Sequence, residues 1–383
     1  MTDAIIKHIR EIFPQKGPIA LHEPVIGGAE KKHVLEALDS GFVSTFGPNV
    51  ATFEKQLGGY IGADHVVAMA SGTAALHTCL MVAGIGVDDE VITQSLTFVA
   101  TGNAISYTGA HPVFLDVEAS SLGLCPKKLT AFLEQNAMRH PKGCLNKQTG
   151  RVLKAVLPMH TFGHACKIQE LKAICEAWGL LLIEDAAEAM GSRQGGKHLG
   201  TVGDIAAFSF NGNKILTSGS GGAVVTNNAA FAARARHLST TAKVAHSWAF
   251  IHDEIGYNYR MTNLNAALGL AQLEQLDAFL EAKRRVANSY KAFFEDRPEQ
   301  FVEEPDGAQS NYWLNSILFP TEPERTAFLD SANKQGVQVR PIWEPLHRLP
   351  MFSACLTGPL DTTNDIAGRV VNLPSSAVGG LGI

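Results

Sequence analysis

Short apolar runs alternate with amphipathic runs from about Gly28 to Asn227. DEVITQS, HPVFLDVE, LKAVLPMH and LLLIEDAA have the length and composition of buried strands, whereas GTAALHTCLMVAG and KIQELKAICEAWG have helical spacing. This alternation predicts an α/β fold with a largely parallel sheet that helices cover on both faces. DIAAFSF and GGAVVTNN flank a glycine-rich turn, and we expect these two strands to pair. Ligands bind such sheets at the carboxyl ends of the strands.

The pattern changes near residue 259. NYRMTNLNAALGLAQLEQLDAFLEAKRRVANSYKAFFED predicts one long amphipathic helix, followed by the strands YWLNSILF and VQVRPIW and the helix RTAFLDSANKQG. We therefore predict an N-terminal segment and large domain at 1–259, and a bridging helix with a small α+β domain at 260–383. AIIKHIREIF predicts a surface helix, and NAMRHPKGCLNKQTG a surface excursion.

Composition narrows the class of protein. A chain of 383 residues is too long for one small core, and its net charge of −5, without a basic block, argues against nucleic acid as a partner. No apolar run has membrane-spanning length, and MTDAIIKHIREIF lacks the features of a signal peptide. None of the six cysteines forms a CxxC pair, which favours free thiols in a reducing cytoplasm.

Three strand ends carry candidate chemistry. In SGTAALH, Ser71, Gly72 and Thr73 open a helix directly after a strand, where free N–H groups bind phosphate. An ordinary helix cap on Ser71 explains the same pattern. In LLLIEDAAEAMGS, Glu184 and Asp185 end a very apolar strand, and a carboxylate there is costly unless a cation pairs with it or it caps a helix.

Lys214 lies between the strand DIAAFSF and the glycine-rich turn. Most lysines in such turns are solvated, but a desolvated lysine has a lowered pKa and attacks carbonyl groups. Together the strand ends offer a phosphate cradle, an acid and an amine, which are the three groups that pyridoxal phosphate (PLP) needs. Phe98 is placed either to lie flat on the cofactor ring or to pack in the core.

At this point the chain resembles the sugar aminotransferases of the DegT/DnrJ/EryC/StrS group. The resemblance rests on GPNVATFEKQLGGYIGADHVVAMASGTAALH, VITQSLTFVATGNAI, IEDAAEAMGS, GDIAAFSFNGNKILTSGSGGAVVTNN and GYNYRMTNLNAALGLAQL, in this order. It implies the PLP-dependent transferase fold type I, as in aspartate aminotransferase, with a mostly parallel seven-stranded sheet in the large domain. FNGNKI, NYWLN and RPIWEPLHRLPMF are similar to the branch that aminates UDP-linked 4-keto-6-deoxy-N-acetylhexosamines for legionaminic acid and bacillosamine.

The resemblance also implies roles for individual residues. Lys214 corresponds to the lysine that binds PLP covalently, and Asp185 to the partner of the pyridine nitrogen. Glu188 falls near the ring hydroxyl, where many relatives carry glutamine or histidine. Asn258 corresponds to a residue that reaches the phosphate of the neighbouring subunit, which implies a homodimer with composite active sites. The predicted cofactor-binding residues are Gly72, Thr73, Phe98, His160, Asp185, Glu188, Ser209, Lys214 and Asn258.

The substrates implied are a nucleotide sugar and, as amino donor, L-glutamate. Asn211 stands where many relatives have histidine, so a step that depends on that histidine is in doubt. The predicted substrate-binding residues are Asn211, Arg260, Trp313, Arg340 and His347.

Other classes of site and function fit less well. His160 and His164 have the i, i+4 spacing of zinc ligands, but HTFGH follows a proline, contains glycine and offers no further ligands, so we predict no metal site. GSGGAV precedes a strand and is not a dinucleotide fingerprint. A sugar dehydratase or lyase of the same fold is a second hypothesis, although related dehydratases replace the lysine with histidine. A regulatory or binding protein is a third, against which the intact Lys214, Asp185 and Ser209 argue.

Overall fold

The computed structural model describes residues 2–141 and 143–377. The α-helices of these residues are α1 (Thr2–Ile12), α2 (Glu30–Asp39), α3 (Pro48–Ile61), α4 (Gly72–Val82), α5 (Val99–Tyr107), α6 (Pro126–Asn136), α7 (Ile168–Trp178), α8 (Ala229–Ser239), α9 (Asn263–Leu273), α10 (Leu276–Phe294), α11 (Glu322–Lys334) and α12 (Asp361–Arg369). The strands are β1 (His65–Met69), β2 (Asp89–Gln94), β3 (His111–Leu115), β4 (Ala137–His140), β5 (Gly143–Asn146), β6 (Val152–Leu157), β7 (Leu181–Asp185), β8 (Arg193–Gln194), β9 (Lys197–His198), β10 (Ile205–Ser209), β11 (Gly222–Thr226), β12 (Lys243–Val244), β13 (Ile251–His252), β14 (Gln300–Phe301), β15 (Ala308–Gln309), β16 (Asn315–Leu318), β17 (Arg340–Pro341) and β18 (Val370–Leu373).

A large sheet with the strand order β1-β11-β10-β7-β6-β2-β3 forms the centre of the large domain. The strands β10, β7, β6, β2 and β3 run parallel to one another, whereas β11 is antiparallel to both β1 and β10. The predicted mostly parallel sheet is therefore confirmed, and it has nine strands, the seven in this order and the pair β4 and β5 beside β6. The predicted pairing of DIAAFSF with GGAVVTNN is confirmed as well, with Ser209 opposite Gly222.

Both faces of this sheet are buried, as its near-continuous apolar strands require. In β1, Val66 and Ala68 belong to the core on one face, and Val67 and Met69 to the core on the other. Because side chains alternate along a strand, a strand that is apolar at every position needs helices on both faces. The sheet thus holds rigidly the loops that leave its strand ends.

The segment NAMRHPKGCLNKQTG is only partly a surface excursion. It contains the hairpin β4–β5, and β5 joins the large sheet beside β6, with Cys144 opposite Leu153. Cys144 and Asn146 are fully buried, and the amide of Asn146 donates to Glu90 Oε2 over 2.6 Å. The turn residues dominate the sequence of this segment and conceal its buried positions.

The single bridging helix that the sequence predicts is in fact two helices, α9 and α10. The amide of Glu274 still donates to Leu270, four residues back, but that of Gln275 donates to Gln272, three residues back. The Gln275 side chain donates to Ala271 and to Glu30 Oε1. The helix therefore breaks where α9, buried on nearly every side, gives way to the amphipathic α10.

The small domain contains the antiparallel sheet β14-β16-β18-β17, and its predicted strands and helix are present as β16, β17 and α11. The N-terminal helix α1 packs here, because Ile5, Ile6 and Ile9 share a core with Val286 and Phe328. AIIKHIREIF is thus a helix, but its apolar face is buried against the C-terminal part of the chain.

All six cysteines are free, and four of them are buried. Across residues 2–141 and 143–377, no helix combines the length with the hydropathy that crossing a bilayer requires.

Candidate active site

A cavity of about 350 Å³ opens at the carboxyl ends of β7 and β10 and at the N-terminus of α4. These elements bring together residues that lie far apart in sequence, because parallel strands end at the same edge of the sheet. The predicted site residues that line it are Gly72, Thr73, Phe98, Asp185, Glu188, Ser209, Asn211, Lys214 and Trp313.

Lys214 lies in the loop after β10 and points its amine into the cavity. Its Nζ is 3.1 Å from Glu188 Oε1 and 3.7 Å from the centre of the Trp313 ring. The Trp313 indole donates to the carbonyl of Asn213 over 2.7 Å, which fixes the ring beside the lysine loop. Only 12% of the Lys214 side chain is exposed, so it is not the solvated turn lysine of the simplest interpretation.

Glu188 is buried, and both of its carboxylate oxygens have partners. Oε1 accepts from Lys214, and Oε2 accepts the N–H of Phe162, which adopts a left-handed backbone conformation with φ of 57°. Burial raises the pKa of Glu188 to about 7, against the lowering effect of Lys214. The carboxylate of Glu188 can therefore gain or lose a proton close to neutral pH.

Asp185 ends β7 and is 2% exposed at the cavity. Its Oδ2 accepts from Thr101 over 2.8 Å, and its Oδ1 accepts the N–H of Ala187 over 3.2 Å. Burial raises the pKa of Asp185, and these two hydrogen bonds offset only part of the effect. A cationic N–H group beside this carboxylate would complete its set of partners.

The neighbouring Glu184 has a different, structural role. It is fully buried and accepts hydrogen bonds from the N–H groups of Gly200 and Val202 and from His160 Nε2. These bonds satisfy its charge inside the fold. Of the two acids that end β7, only Asp185 lines the cavity.

The N-terminus of α4 forms a concave cradle. Ser71 caps the helix by accepting the N–H of Ala74, as the simplest interpretation of SGTAALH expects. Gly72 and Thr73 begin the helix, where N–H groups have no partners within the helix, and both line the cavity beside Ser209. A Cβ on Gly72 would lie 2.7 Å from Ser209 Cβ, so only glycine allows this close approach. The cap and the predicted anion site thus use different groups of the same helix turn.

Phe98 is 47% exposed and lines the cavity, so it does not pack in the core. Its ring meets Trp343 edge to face, with the ring centres 6.1 Å apart. Asn211 lines the cavity as an exposed residue, and its amide donates to Asn213 Oδ1.

Sequence analysis missed several residues that line or support the cavity. Trp343 and Ser220 lie within segments that carried the resemblance, but neither has a pattern of its own that indicates a site. Thr101, which orients Asp185, is a polar residue among apolar positions of α5. That was the one signal available for it.

His160 does not line the cavity. Its ring is fully buried, with Nε2 2.9 Å from Glu184 Oε2 and Nδ1 3.3 Å from the N–H of Cys166. Its backbone N–H donates to the carbonyl of Asp185. In this chain His160 therefore supports the strand end that carries Asp185, and a direct contact with cofactor stays a prediction.

Four other predicted residues also lie outside this cavity. Asn258 is exposed next to Tyr259. Arg260 is 2.9 Å from Glu54 Oε1, and His347 Nδ1 is 2.8 Å from Ser95 Oγ. Arg340 lines a separate cavity on the other side of Trp313. Within one chain, the structure does not bring these side chains to Lys214.

The residues of the cavity fit PLP. Gly72, Thr73 and Ser209 form a cradle that a larger residue at position 72 would fill, as a phosphate site requires. Among the described residues no cation pairs with Asp185, and a protonated pyridine nitrogen would supply one. Lys214 presents an amine in the same cavity. The three requirements of the cofactor are thus met by separate parts of one site.

The described residues contain one group with the spacing of metal ligands, formed by His237, Asp253 and Glu254 at the surface. Arg234 donates to both carboxylate oxygens of Glu254, so this acid already has a cationic partner. The group lies apart from the cavity of Lys214.

Comparison with known proteins gives sequence relatives along almost the whole chain. The profile of the DegT/DnrJ/EryC1/StrS aminotransferase family matches residues 24–378. GDP-perosamine synthase from Vibrio cholerae is 38% identical over 360 residues, which cover 93% of this chain and 94% of that protein. The putative pyridoxal phosphate-dependent aminotransferase EpsN from Bacillus subtilis is 36% identical and covers 94% of this chain and 91% of its own.

Among solved structures, a DegT DnrJ EryC1 StrS aminotransferase from Brucella abortus has a TM-score of 0.83. It is 30% identical in sequence, and the match covers 90% of both chains. The fold and the order of the sequence motifs therefore agree over both domains.

Proposed function

Because the chain belongs to the DegT/DnrJ/EryC1/StrS aminotransferase family and is a PLP-dependent enzyme, we propose that it transfers an amino group from L-glutamate to a nucleotide sugar. The acceptor is the C4 keto group of a 6-deoxy sugar, and the product is a 4-amino-4,6-dideoxy sugar for surface glycans. The observation that carries this proposal is the cavity that holds Lys214, Asp185 and the N-terminus of α4 together.

The nucleotide and the sugar are the finer part of the proposal. NYWLN and RPIWEPLHRLPMF favour a UDP-linked 4-keto-6-deoxy-N-acetylhexosamine, whereas the name of the Vibrio cholerae relative favours a GDP-linked sugar. We retain both as candidates, since the residues around Lys214 would contact the reacting carbon of the sugar and not the nucleotide.

When bound, PLP supplies an electron sink that stabilises negative charge on the carbon next to the transferred nitrogen. Lys214 Nζ then takes the proton from the α-carbon of glutamate and delivers a proton to C4 of the sugar. The C4 keto oxygen of the sugar leaves as water, and a water molecule supplies the keto oxygen of 2-oxoglutarate, so each turnover moves one amino group. Lys214 suits this work because its amine is shielded and contacts a carboxylate that titrates near neutral pH.

Other residues of the cavity would hold and orient the cofactor. Asp185 would accept a hydrogen bond from the ring nitrogen of PLP and keep it protonated, and Thr101 fixes the carboxylate for this role. Gly72, Thr73 and Ser209, which line the cavity, would bind the phosphate group, and Phe98 would cover one face of the ring. Trp313 keeps water from the lysine amine.

We further propose that the enzyme is a homodimer whose active sites combine two chains. Asn258 and Arg260 lie outside the cavity of their own chain. Near them, Phe42 and Phe46 are 44% and 75% exposed, and Trp248 and Ile255 are more than 80% exposed. Such an apolar surface is typical of a subunit interface. Cytoplasmic location is a further prediction, supported by the free cysteines.

The test is a panel of UDP-, GDP- and dTDP-linked 4-keto-6-deoxy sugars, each incubated with the enzyme and L-glutamate. We expect one nucleotide class to yield an amino sugar and an equal amount of 2-oxoglutarate, both measured by mass spectrometry. Lys214→Ala is the matched control and should yield neither. If no keto sugar is aminated by enzyme that carries PLP on Lys214, the proposed function is wrong.

The panel also separates the alternative chemistry. A dehydratase or lyase would release water or cleave the sugar without consuming glutamate. The presence of Lys214 in contact with Glu188 favours amino transfer, because related dehydratases lack the lysine. A binding protein would show neither reaction and would be colourless when purified from cofactor-supplied cells.

A further inference from the structure

A second cavity, of about 400 Å³, lies beside the cavity of Lys214. The two cavities share one wall, which is formed by Asn213, Trp313 and Trp343. The first cavity, at about 350 Å³, has to hold PLP, and binding pockets for a single drug-sized ligand measure about 300–1,000 Å³. A substrate as large as a nucleotide sugar therefore needs further space.

His22 is the least expected residue of the second cavity. Both of its ring nitrogens are buried, and neither has a hydrogen-bond partner among the described residues. The chain on either side is held in place, since the N–H of Ser375 donates to the carbonyl of Leu21 and the N–H of Glu23 donates to Ser376 Oγ. Because buried polar groups nearly always have partners, a fixed ring without one points to a missing ligand.

The charge state of His22 defines what it can bind. Burial lowers its pKa well below the usual value, and the nearby Lys283 and Lys214 lower it further. The ring is therefore neutral and has one N–H donor and one acceptor nitrogen. It can donate a hydrogen bond to an oxygen atom in the cavity without adding a buried charge.

Arg340 supplies the positive charge at the same place. It lies opposite Asn372 in the antiparallel pair β17–β18, so the two side chains share one face of the small sheet, and both line the cavity. The Nη1 of Arg340 donates to Asn333 Oδ1 and to the carbonyl of Val339, and these two bonds hold the guanidinium in place. None of the described residues that line this cavity is acidic.

We propose that this second cavity is an anion subsite in which His22 and Arg340 bind a carboxylate or phosphate group of a substrate that reacts at Lys214. The proposal rests on the proposed function, since it gives the anion to one of the two substrates named there. The anion is either a carboxylate of the amino donor or the diphosphate of the nucleotide sugar. Both are oxyanions that accept from a guanidinium and from a neutral imidazole N–H.

The test is a binding titration of the holoenzyme with two kinds of probe, in which calorimetry measures the binding. Glutarate represents the carboxylate source, and UDP and GDP represent the diphosphate source. The variants are His22→Leu and Arg340→Gln. The matched control is Arg10→Gln, because Arg10 also donates to a backbone carbonyl of the small domain, that of Gln335, and lies outside both cavities.

We expect Arg340→Gln to weaken one class of probe about tenfold or more, the loss typical of a charge-assisted hydrogen bond. His22→Leu should weaken the same class and also raise Tm, because it removes a buried group without a partner. In the complete reaction, KM of the corresponding substrate should rise by a similar factor with little change in kcat. If both classes weaken together, the subsite serves both substrates.

The subsite is refuted if no probe binds the wild-type enzyme, or if both variants bind every probe as Arg10→Gln does. This outcome is independent of the proposed function, because the probes require no turnover. If both variants aminate a panel sugar with unchanged KM for the sugar and for glutamate, the subsite is wrong and the proposed function stands. If probe binding depends on Arg340 but the enzyme aminates no panel sugar, the proposed function is wrong and the subsite stands.

Discussion

Replacement of Glu188 by glutamine tests the electrostatics of the lysine site. Glu188 is 3% exposed and contacts Lys214 Nζ, and burial raises its pKa from the ordinary 4.5 to about 7. In the folded protein it therefore keeps its proton at pH values where the unfolded chain has lost it. Glutamine has nearly the same shape, can still accept from Phe162 N–H, and does not titrate.

The direction of the effect follows from proton linkage. Between pH 4.5 and about 7 the folded state binds more protons than the unfolded state, so the free energy of unfolding falls as pH rises. A pKa difference of this size corresponds to about 3 kcal/mol, nearly all of it developed by pH 8. The free energy of unfolding of Glu188→Gln, measured relative to wild type, should therefore be higher at pH 8 than at pH 5 by up to about 3 kcal/mol.

The assay is urea unfolding of cofactor-free protein at pH 5 and pH 8, at one protein concentration, followed by tryptophan fluorescence. Glu36→Gln is the matched control, because Glu36 is an exposed glutamate paired with a lysine, Lys32. Its difference from wild type should be the same at both pH values. If the difference for Glu188→Gln is also constant, Glu188 is not a buried acid with a raised pKa, and the account of the pair is wrong.

The remaining predictions concern turnover, cofactor binding and assembly. Lys214→Ala should abolish turnover in a folded protein, and borohydride reduction of wild type with peptide mapping should find PLP on Lys214. Asp185→Asn should lower kcat at least about a hundredfold, as loss of one positioned electrostatic group does. Gly72→Ala should weaken PLP binding in equilibrium dialysis, because the new Cβ meets Ser209 at 2.7 Å. A mixture of Lys214→Ala with the double variant Asn258→Ala/Arg260→Ala should regain activity, since one site of each mixed dimer is intact.

Each of these has an outcome that contradicts it. If peptide mapping finds PLP on another lysine, Lys214 is not the residue that binds the cofactor. Near wild-type turnover in the asparagine variant makes Asp185 a structural cap, and unchanged PLP affinity in Gly72→Ala places the phosphate elsewhere. If subunits exchange and activity does not return, Asn258 and Arg260 act within their own chain.

The parts of the site that local patterns could predict are those at strand ends. Gly72, Asp185 and Lys214 each follow or end an apolar run, and the parallel topology makes such points converge, whereas Ser209 was predicted only from the family resemblance. The same logic predicted the sheet, because strands buried on both faces have a clear apolar pattern.

Contacts between distant segments produce no local pattern in the sequence. The Thr101–Asp185 bond joins residues 84 positions apart, and Trp313 reaches Lys214 from the other domain. The break between α9 and α10 depends on Gln275 bonding to Glu30, which no local pattern shows. For the same reason the second cavity was not foreseen, since His22 and Arg340 come from the two ends of the chain.

The packing of α1 on the small domain has a consequence for biosynthesis. Ile5, Ile6 and Ile9 belong to a core whose other members, apart from Phe13 and Ile19, begin at Val286. At a translation rate of about 5–20 residues per second, the roughly 280 residues between them take about 15–60 s to synthesise. During that time the ribosome carries a helix with an unpaired apolar face, while the large sheet can already form. A chaperone that binds short apolar helices should therefore associate with nascent chains of this protein and leave once α10 and β16 have emerged.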